Sequence, residues 1–132
     1  MFRYDDLVGV PFKDGGRSKE QGFDCWGLAL ELFKRQDMWL TDYQCSSEAT
    51  SQVAGNMLKA RPQWRRLDAP IIGCLVVIRM LDEGWANHCG VYVGSGKFIH
   101  AYTEDTGVVI DRVRRWGPRI IGYYWPTEDA YA

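Results

Sequence analysis

The clearest hydrophobic pattern in the chain lies directly after Asp24. Apolar side chains recur three, four, seven and eight positions after Cys25, which is the spacing of one helical face: Leu28, Ala29, Leu32 and Phe33. Asp24 is a preferred N-cap residue, because its carboxylate accepts hydrogen bonds from the unpaired N–H groups of a first helical turn. The pattern therefore predicts an amphipathic helix over about 25–37 that begins at Cys25.

Shorter patterns predict the remaining elements. A helical start is expected at about 3–8, a glycine-bearing loop at 13–23, and a second helix over about 48–60 that ends before Pro62. Five segments predict strands: 74–80, 88–93, 97–102, 107–112 and 119–125. Helices followed by sequential strands indicate an α+β fold, with N-terminal helices packed on a central antiparallel β-sheet and the cysteine helix on the face that bears the histidines. We expect one domain, 1–132.

Both histidines of the chain, His88 and His100, lie in a predicted β-hairpin. Because side chains alternate between the faces of a sheet, the connecting loop decides whether the two imidazoles can meet. A two-residue turn at 95–96 would place them on opposite faces. A three-residue loop at 94–96 pairs Gly90 with His100 and puts both histidines on one face, and its final glycine suits the left-handed conformation that ends such loops. We expect the three-residue loop.

A cysteine at a helix start and two histidines on one sheet face form a candidate catalytic cluster of Cys25, His88 and His100. The positive end of a helix dipole stabilises a thiolate, and an imidazole is a common activating base for a thiol. A buried structural cysteine and ordinary strand histidines are the alternative, which each residue alone favours. The four cysteines contain no Cys-x-x-Cys pair, and the histidines lack the short spacing of zinc ligands. We therefore expect no metal and no cofactor.

Composition narrows the range of partners. The net charge of −1, with 25% charged residues, gives no indication of a nucleic-acid partner. No segment approaches the roughly 18 apolar residues of a membrane-spanning helix. The first residues, MFRYDDLVGVPF, carry acidic side chains where a secretory signal has a basic start and an apolar run, so no signal peptide is predicted. The scattered cysteines do not indicate a disulfide framework.

Two segments together resemble one protein family. DCWGL at 24–28, followed after a long gap by HCGVYVGSGKFIHA at 88–101, resembles the NlpC family of bacterial cell-wall cysteine peptidases. The usual pattern of that family is Asp-Cys-Ser/Trp/Tyr-Gly, then His-x-Gly-hydrophobic-Tyr, then a second histidine. The lead-in VGVPFKDGGRSKEQGFDC is also similar to the family, and the tail RIIGYYWP at 119–126 is similar to versions carried by phages and prophages.

The resemblance implies a papain-like fold in which Cys25 is the nucleophile, His88 the general base and His100 the third, orienting residue. It implies a thiol peptidase that cleaves peptidoglycan stem peptides between a γ-D-glutamyl residue and a diamino acid. A phage or prophage version would be made in the cytoplasm, associate with phage tail proteins and act on the cell wall. Arg17 is a candidate to bind a carboxylate of the stem peptide.

The chain departs from the family pattern at two places. Phe12 stands where members often have a tyrosine whose hydroxyl helps the oxyanion site, and Ile72-Gly73-Cys74 stands where many read Pro-Gly-Asp. Two alternatives stay open: a non-catalytic tail-assembly or binding module on the same fold, and another thiol amidase or acyltransferase. If Cys25 is the nucleophile, replacing any other cysteine is expected to leave turnover largely intact.

Overall fold

The computed structural model describes residues 2–42, 64–79 and 88–132. Its long helix, α1, spans Cys25–Lys34, and a four-residue helix, α2, spans Val113–Trp116. Short 3-10 turns lie at Asp5–Leu7, Gly117–Arg119 and Glu128–Ala130. The strands are β1 at Arg17–Ser18, β2 at Gly22–Phe23, β3 at Trp64–Leu67, β4 at Leu75–Ile78, β5 at His88–Gly94, β6 at Lys97–Thr103, β7 at Gly107–Arg112 and β8 at Ile120–Pro126. The helix predicted over 48–60 falls outside the described residues.

Six of the strands form one antiparallel sheet in the order β3-β8-β4-β5-β6-β7, while β1 and β2 pair separately beside the helix start. The predicted α+β class is confirmed, with α1 packed against this sheet. The sequence patterns missed β1, β2, β3 and α2, each of which is two to four residues long. No helix in the described ranges is long and apolar enough to cross a membrane.

The first turn of α1 forms where the sequence predicts it. Asp24 is the N-cap residue, and its carboxylate accepts a hydrogen bond from the Gly27 N–H at 2.7 Å. The helix ends at Lys34, three residues before the predicted limit. Asp37 takes a left-handed φ of 66°, and the Met38 N–H returns to the Phe33 carbonyl at 2.9 Å, which closes the last turn.

The hairpin of β5 and β6 has the predicted register but a different tip. Val91 pairs with Ile99 and Tyr92 with Phe98, which is the register that the three-residue loop requires. The strands instead close through a two-residue turn whose central residues have φ of 54° and 73°, at Ser95 and Gly96. A bulge between Tyr92 and Gly94 adds one unpaired residue to β5. The two-residue turn and this bulge together give the same strand register as a three-residue loop, so both histidines stay on one face.

Both faces of the sheet are packed, and α1 covers the face opposite to the histidines. Cys89 and Val91 belong to the same buried cluster as the apolar side chains of α1. Because neighbouring residues alternate, His88 points to the other face, where His100 packs against Phe98. The prediction that the cysteine helix covers the histidine-bearing face is therefore wrong. Cys25 reaches His88 from the end of the sheet, since the two are the first residues of α1 and β5.

Candidate active site

Cys25 lies at the start of α1 with 6% of its surface exposed, within hydrogen-bonding reach of two side chains. Hydrogen bonds from the Cys89 thiol and the His88 ring lower the pKa of Cys25 to about 5, while burial and the Asp24 charge oppose that shift. These contacts favour the thiolate form of Cys25. The predicted contact between Cys25 and His88 is present in the structure.

Cys89 is the second thiol of the cluster, directly after His88 on β5. Its Sγ lies 3.5 Å from the carbonyl oxygen of Cys25. The interaction of the Cys89 thiol with the side chain of Cys25, together with burial, raises the pKa of Cys89 well above its ordinary value. Cys89 therefore stays protonated and acts as a hydrogen-bond donor, which the sequence pattern did not reveal.

The two histidines form a chain of hydrogen bonds that runs away from Cys25. His88 Nε2 lies 2.8 Å from His100 Nδ1, and His100 Nε2 lies 2.8 Å from Asp111 Oδ2. Since Nε2 of His88 faces His100, its Nδ1 is the ring nitrogen left for the hydrogen bond with Cys25. The three predicted residues therefore meet, and Asp111 extends them by one member.

The absence of a side chain at Gly90, which lies between His88 and His100, leaves room for the two hydrogen-bonded imidazole rings. A Cβ built on Gly90 would stand 2.9 Å from the Phe98 ring and 3.0 Å from the His100 Cβ, closer than real contacts allow without a shift. The His100 ring is packed among aromatic rings, with Tyr102 stacked on it at a centroid distance of 5.1 Å and Trp116 edge-on at 5.4 Å. His100 is fully buried as a result.

The electrostatics of His100 and Asp111 are opposite. Burial, together with the charge of His88, lowers the pKa of His100 to about 3, although Asp111 acts against that shift. Burial acts to raise the pKa of Asp111, but hydrogen bonds from His100 and Trp116 and the Arg115 charge hold it below its usual value. At neutral pH the pair therefore consists of a neutral imidazole and a carboxylate.

A second polar network surrounds the start of α1 on the other side of Cys25. Asp24 accepts hydrogen bonds from the Gly15 N–H at 3.0 Å and from Arg17 Nη1 at 2.8 Å, besides the Gly27 N–H. Arg17 also donates to both oxygens of Asp42, at 2.9 and 3.2 Å. These contacts give Arg17 a structural role in holding the 13–23 loop against the helix.

Gly27 explains why the motif places a glycine two residues after the cysteine. A Cβ at this position would lie 2.0 Å from the Gly16 carbonyl oxygen, so any side chain would push the loop away from the helix. The loop in turn supplies the Gly15 N–H and the Arg17 guanidinium that surround Asp24. The position of Cys25 thus depends on backbone contacts that a larger residue would break.

No group of three or more side chains suited to hold a metal ion occurs in residues 2–42, 64–79 and 88–132. The facing nitrogens of His88 and His100 are hydrogen-bonded to each other, and the outer nitrogen of His100 is bonded to Asp111. Such a line of hydrogen-bonded groups beside a thiol has the chemistry needed for a nucleophile, a base and orienting groups.

Sequence reasoning missed Asp111 and Cys89. Asp111 follows the apolar run GVVI in β7, and the register of β6 with β7 pairs it with Phe98, two residues from His100 on the same face. A single carboxylate after an apolar strand segment could therefore have indicated a site residue. Placing Asp111 beside His100 requires the register between β6 and β7, which the sequence pattern alone does not supply.

The NlpC/P60 family model matches residues 9–123 of the chain. Among proteins of known sequence, the chain is 30% identical over 116 residues to the probable peptidoglycan endopeptidase LytE of Bacillus subtilis, covering 88% of this chain and 30% of LytE. It is 34% identical over 100 residues to the murein DD-endopeptidase MepH of Escherichia coli, covering 71% of this chain and 32% of MepH. A gamma-DL-glutamyl hydrolase of Bacillus subtilis is 29% identical over 101 residues, covering 76% and 22% of the two chains.

The fold is similar to that of solved NlpC/P60 proteins. The structure of NlpC2 from Trichomonas vaginalis superposes with a TM-score of 0.67 at 22% identity, covering 92% of this chain and 42% of that chain. The papain-like α+β fold expected from the sequence is therefore confirmed. The chain spans about a third or less of the length of the three bacterial relatives. Because the NlpC/P60 family model matches residues 9–123, which is most of this chain, the chain belongs to the NlpC/P60 family.

Proposed function

We propose that this domain is a cysteine peptidase that hydrolyses an amide bond in the stem peptides of bacterial peptidoglycan. The observation that carries the proposal is the arrangement at the start of α1: Cys25 contacts the ring of His88, and His88 Nε2 lies 2.8 Å from His100 Nδ1. Hydrogen bonds with Cys89 and His88 also lower the pKa of Cys25 to about 5. A buried structural cysteine has no need of an imidazole partner, and burial raises the pKa of Cys74 to about 11 although backbone hydrogen bonds act to lower it. The names of the relatives support a cell-wall substrate.

In the proposed reaction, the Cys25 thiolate attacks the amide carbonyl carbon and forms a carbon–sulfur bond. The electron pair of the carbonyl moves onto its oxygen, and the backbone N–H of Cys25, the first residue of α1, stabilises that charge in the proposed reaction. His88 then gives its proton to the departing amine as the carbon–nitrogen bond breaks. Water, activated by His88, hydrolyses the thioester and restores the thiolate.

Phe12 bears on the strength of the oxyanion site. It packs against the apolar core and pairs with Phe23 through an isolated bridge, and it has no hydroxyl to donate. We propose that a donor other than position 12 completes the oxyanion site. The class of reaction does not depend on that donor, because nucleophile and base lie elsewhere.

The proposed bond joins a γ-D-glutamyl residue to a diamino acid. The likeness to a gamma-DL-glutamyl hydrolase supports this bond, whereas the likeness to a DD-endopeptidase favours a different one. We also propose that the protein is a component of a phage or prophage tail, since the C-terminal segment RIIGYYWP at 119–126 is similar to phage-borne versions of the family. Detection of the chain in purified virions by mass spectrometry, or its absence there, tests the setting.

The activity is tested by digesting purified peptidoglycan and sequencing the released fragments by mass spectrometry. The expected products carry a new amine on the diamino acid, and Cys25→Ala is expected to release none while its melting temperature stays close to that of the original protein. Cys74→Ala is the matched control, because Cys74 is buried as well but has no contact with Cys25, His88 or His100 in the described structure.

Other outcomes separate the alternatives. Fragments cut at a different bond would reject the γ-D-glutamyl assignment and keep the peptidase. Binding to peptidoglycan that is equal for Cys25→Ala and the original protein, with no cleavage by either, would support a binding module instead.

A further inference from the structure

We propose that Asp111 is a positioning residue that sets the direction of the proton chain from Cys25 through both histidines. The proposal rests on the proposed peptidase function for its effect on turnover, and on the hydrogen-bond geometry and the burial of His100 for its effect on the imidazole rings. Asp111 does not face Cys25; it acts through His100, whose Nε2 lies 2.8 Å from its Oδ2.

The direction of the chain follows from which groups can donate. A carboxylate has no proton to give, so His100 Nε2 must carry the proton of the bond to Asp111. A neutral imidazole carries one N–H, which leaves Nδ1 of His100 as an acceptor. The bond of 2.8 Å between the histidines then requires that His88 Nε2 carry a proton and donate it to His100.

The consequence reaches the nucleophile. When His88 is neutral, its one proton is held on Nε2, and Nδ1 is left as a lone pair toward Cys25. That lone pair is what a general base needs, and a proton gained there forms the imidazolium that pairs with the thiolate. Asp111 therefore places the base on the correct nitrogen of a ring that it does not touch.

The surroundings of His100 keep its ring neutral at neutral pH, as this assignment of protons requires. Burial lowers the pKa of His100 to about 3, so the ring stays neutral and cannot donate from both nitrogens. The titratable or charged groups that act on it are His88, Asp111 and Arg115. Stacked aromatic rings hold its plane, with Tyr102 on one side and Trp116 edge-on.

Asp111 is itself fixed by α2, the short helix that directly follows β7. Arg115 Nη1 donates to Oδ1 at 3.0 Å, and Trp116 Nε1 donates to Oδ2 at 3.3 Å. The Asp111 side chain is 11% exposed, whereas that of Arg115 is 71% exposed. The carboxylate thus receives donors on both oxygens, which favours its charged form and excludes it as a donor to His100.

Replacing Asp111 by asparagine removes the negative charge of the side chain and allows the direction of its hydrogen bond with His100 to reverse. Asp111→Asn keeps the shape of the side chain, but its amide can donate to His100 Nε2 as well as accept from it. With that donation, His100 would carry its proton on Nδ1, facing His88 Nε2. The His88 proton would then move to Nδ1 and block the base.

The test is the protonation state of the ring nitrogens, read from ¹⁵N NMR of uniformly labelled protein near pH 7. The chain has only two histidines, so His100→Gln assigns the spectrum. We expect His100 to be protonated at Nε2 and unprotonated at Nδ1 in the original protein, and Asp111→Asn to populate the reverse tautomer. The exposed Asp105 gives the matched control, and Asp105→Asn is expected to leave the spectrum unchanged.

Turnover supplies the second readout. A wrong tautomer is known to cost serine proteases about 10⁴-fold, and since Asp111 acts one ring further from the nucleophile, we expect a fall of roughly 10- to 100-fold in kcat. KM is expected to stay unchanged, because the Asp111 side chain is only 11% exposed and both of its oxygens are hydrogen-bonded within the protein. A matching loss of kcat in Asp105→Asn would assign the effect to something other than the proton chain.

The spectrum of the original protein alone can overturn the inference. A proton on His100 Nδ1 rejects it, whether or not the protein cleaves peptidoglycan and whether or not Asp111→Asn folds. The predicted tautomer in a protein without peptidase activity would keep this inference and reject the proposed function. A normal tautomer in Asp111→Asn with unchanged kcat would reject the role of the carboxylate.

Discussion

The two carboxylates of the site have different surroundings: Asp24 is the N-cap residue directly before Cys25, and Asp111 lies beyond both histidines, bonded to His100. Asp24 receives two of its three hydrogen bonds from backbone N–H groups, those of Gly15 and Gly27. Asp111 receives all of its hydrogen bonds from side chains, above all from His100. Asp24 therefore holds the backbone segment that carries Cys25, while Asp111 binds an imidazole ring, the contact from which we propose that it fixes the position of a proton.

The arginines beside the two carboxylates show the same division. Arg17 joins Asp24 to Asp42 and lies in a half-buried network that fastens the loop to the helix. Arg115 pairs with Asp111 from an exposed position on α2. An exposed ion pair is worth little, and the Arg115 charge lowers the pKa of Asp111 less than the hydrogen bonds from His100 and Trp116 do. The first pair is part of the fold, because it joins the buried helix cap at Asp24 to the loop that carries Arg17.

Replacing Asp24 is expected to have the largest effect on stability. Asp24→Ala removes the helix cap and two further hydrogen bonds of a buried carboxylate, which is expected to lower the free energy of unfolding by about 2 to 3 kcal/mol. Urea denaturation measures this loss. The NMR tautomer of His100 in the folded fraction is expected to stay the same. A change of less than about 0.5 kcal/mol, or an altered tautomer, would contradict the separation of roles.

Replacing Cys89 is expected to have a smaller effect, on the nucleophile alone. Cys89→Ala removes a hydrogen bond that lowers the pKa of Cys25, so that pKa should rise and the acid limb of the activity profile should move to higher pH. This changes the expectation that every other cysteine is neutral for turnover. Cys74→Ala is the control that should leave the profile in place. Identical profiles for the two variants would show that Cys89 does not act on Cys25.

The local parts of the site could be predicted from the sequence. The start of α1 was predictable because the cap, the cysteine and the apolar stripe lie within ten residues of one another. The face shared by His88 and His100 was predicted correctly although the tip of the hairpin differs. Register depends on the offset between the strands, and a two-residue turn with a bulge gives the same offset as a three-residue loop.

The parts that depend on distant pairing could not be predicted. Asp111 joins the site only through the register of β6 with β7, and Cys89 joins it because α1 packs on the face opposite to the histidines. The sequence pattern placed α1 on the wrong face, since alternation along a strand does not say which of two apolar faces a helix covers. Strand β3, with the sequence WRRL, was missed because two of its four residues are exposed arginines.

The most direct test of the account is the ionisation of Cys25, followed by the ultraviolet absorbance of the thiolate as a function of pH. The difference between the original protein and Cys25→Ala isolates this thiol. A lowered pKa means that the thiolate appears as the pH rises through about 5 and is fully formed at neutral pH. The account predicts that transition. A transition at about 8.5, the value of a free cysteine, would contradict the activated nucleophile and with it the proposed peptidase.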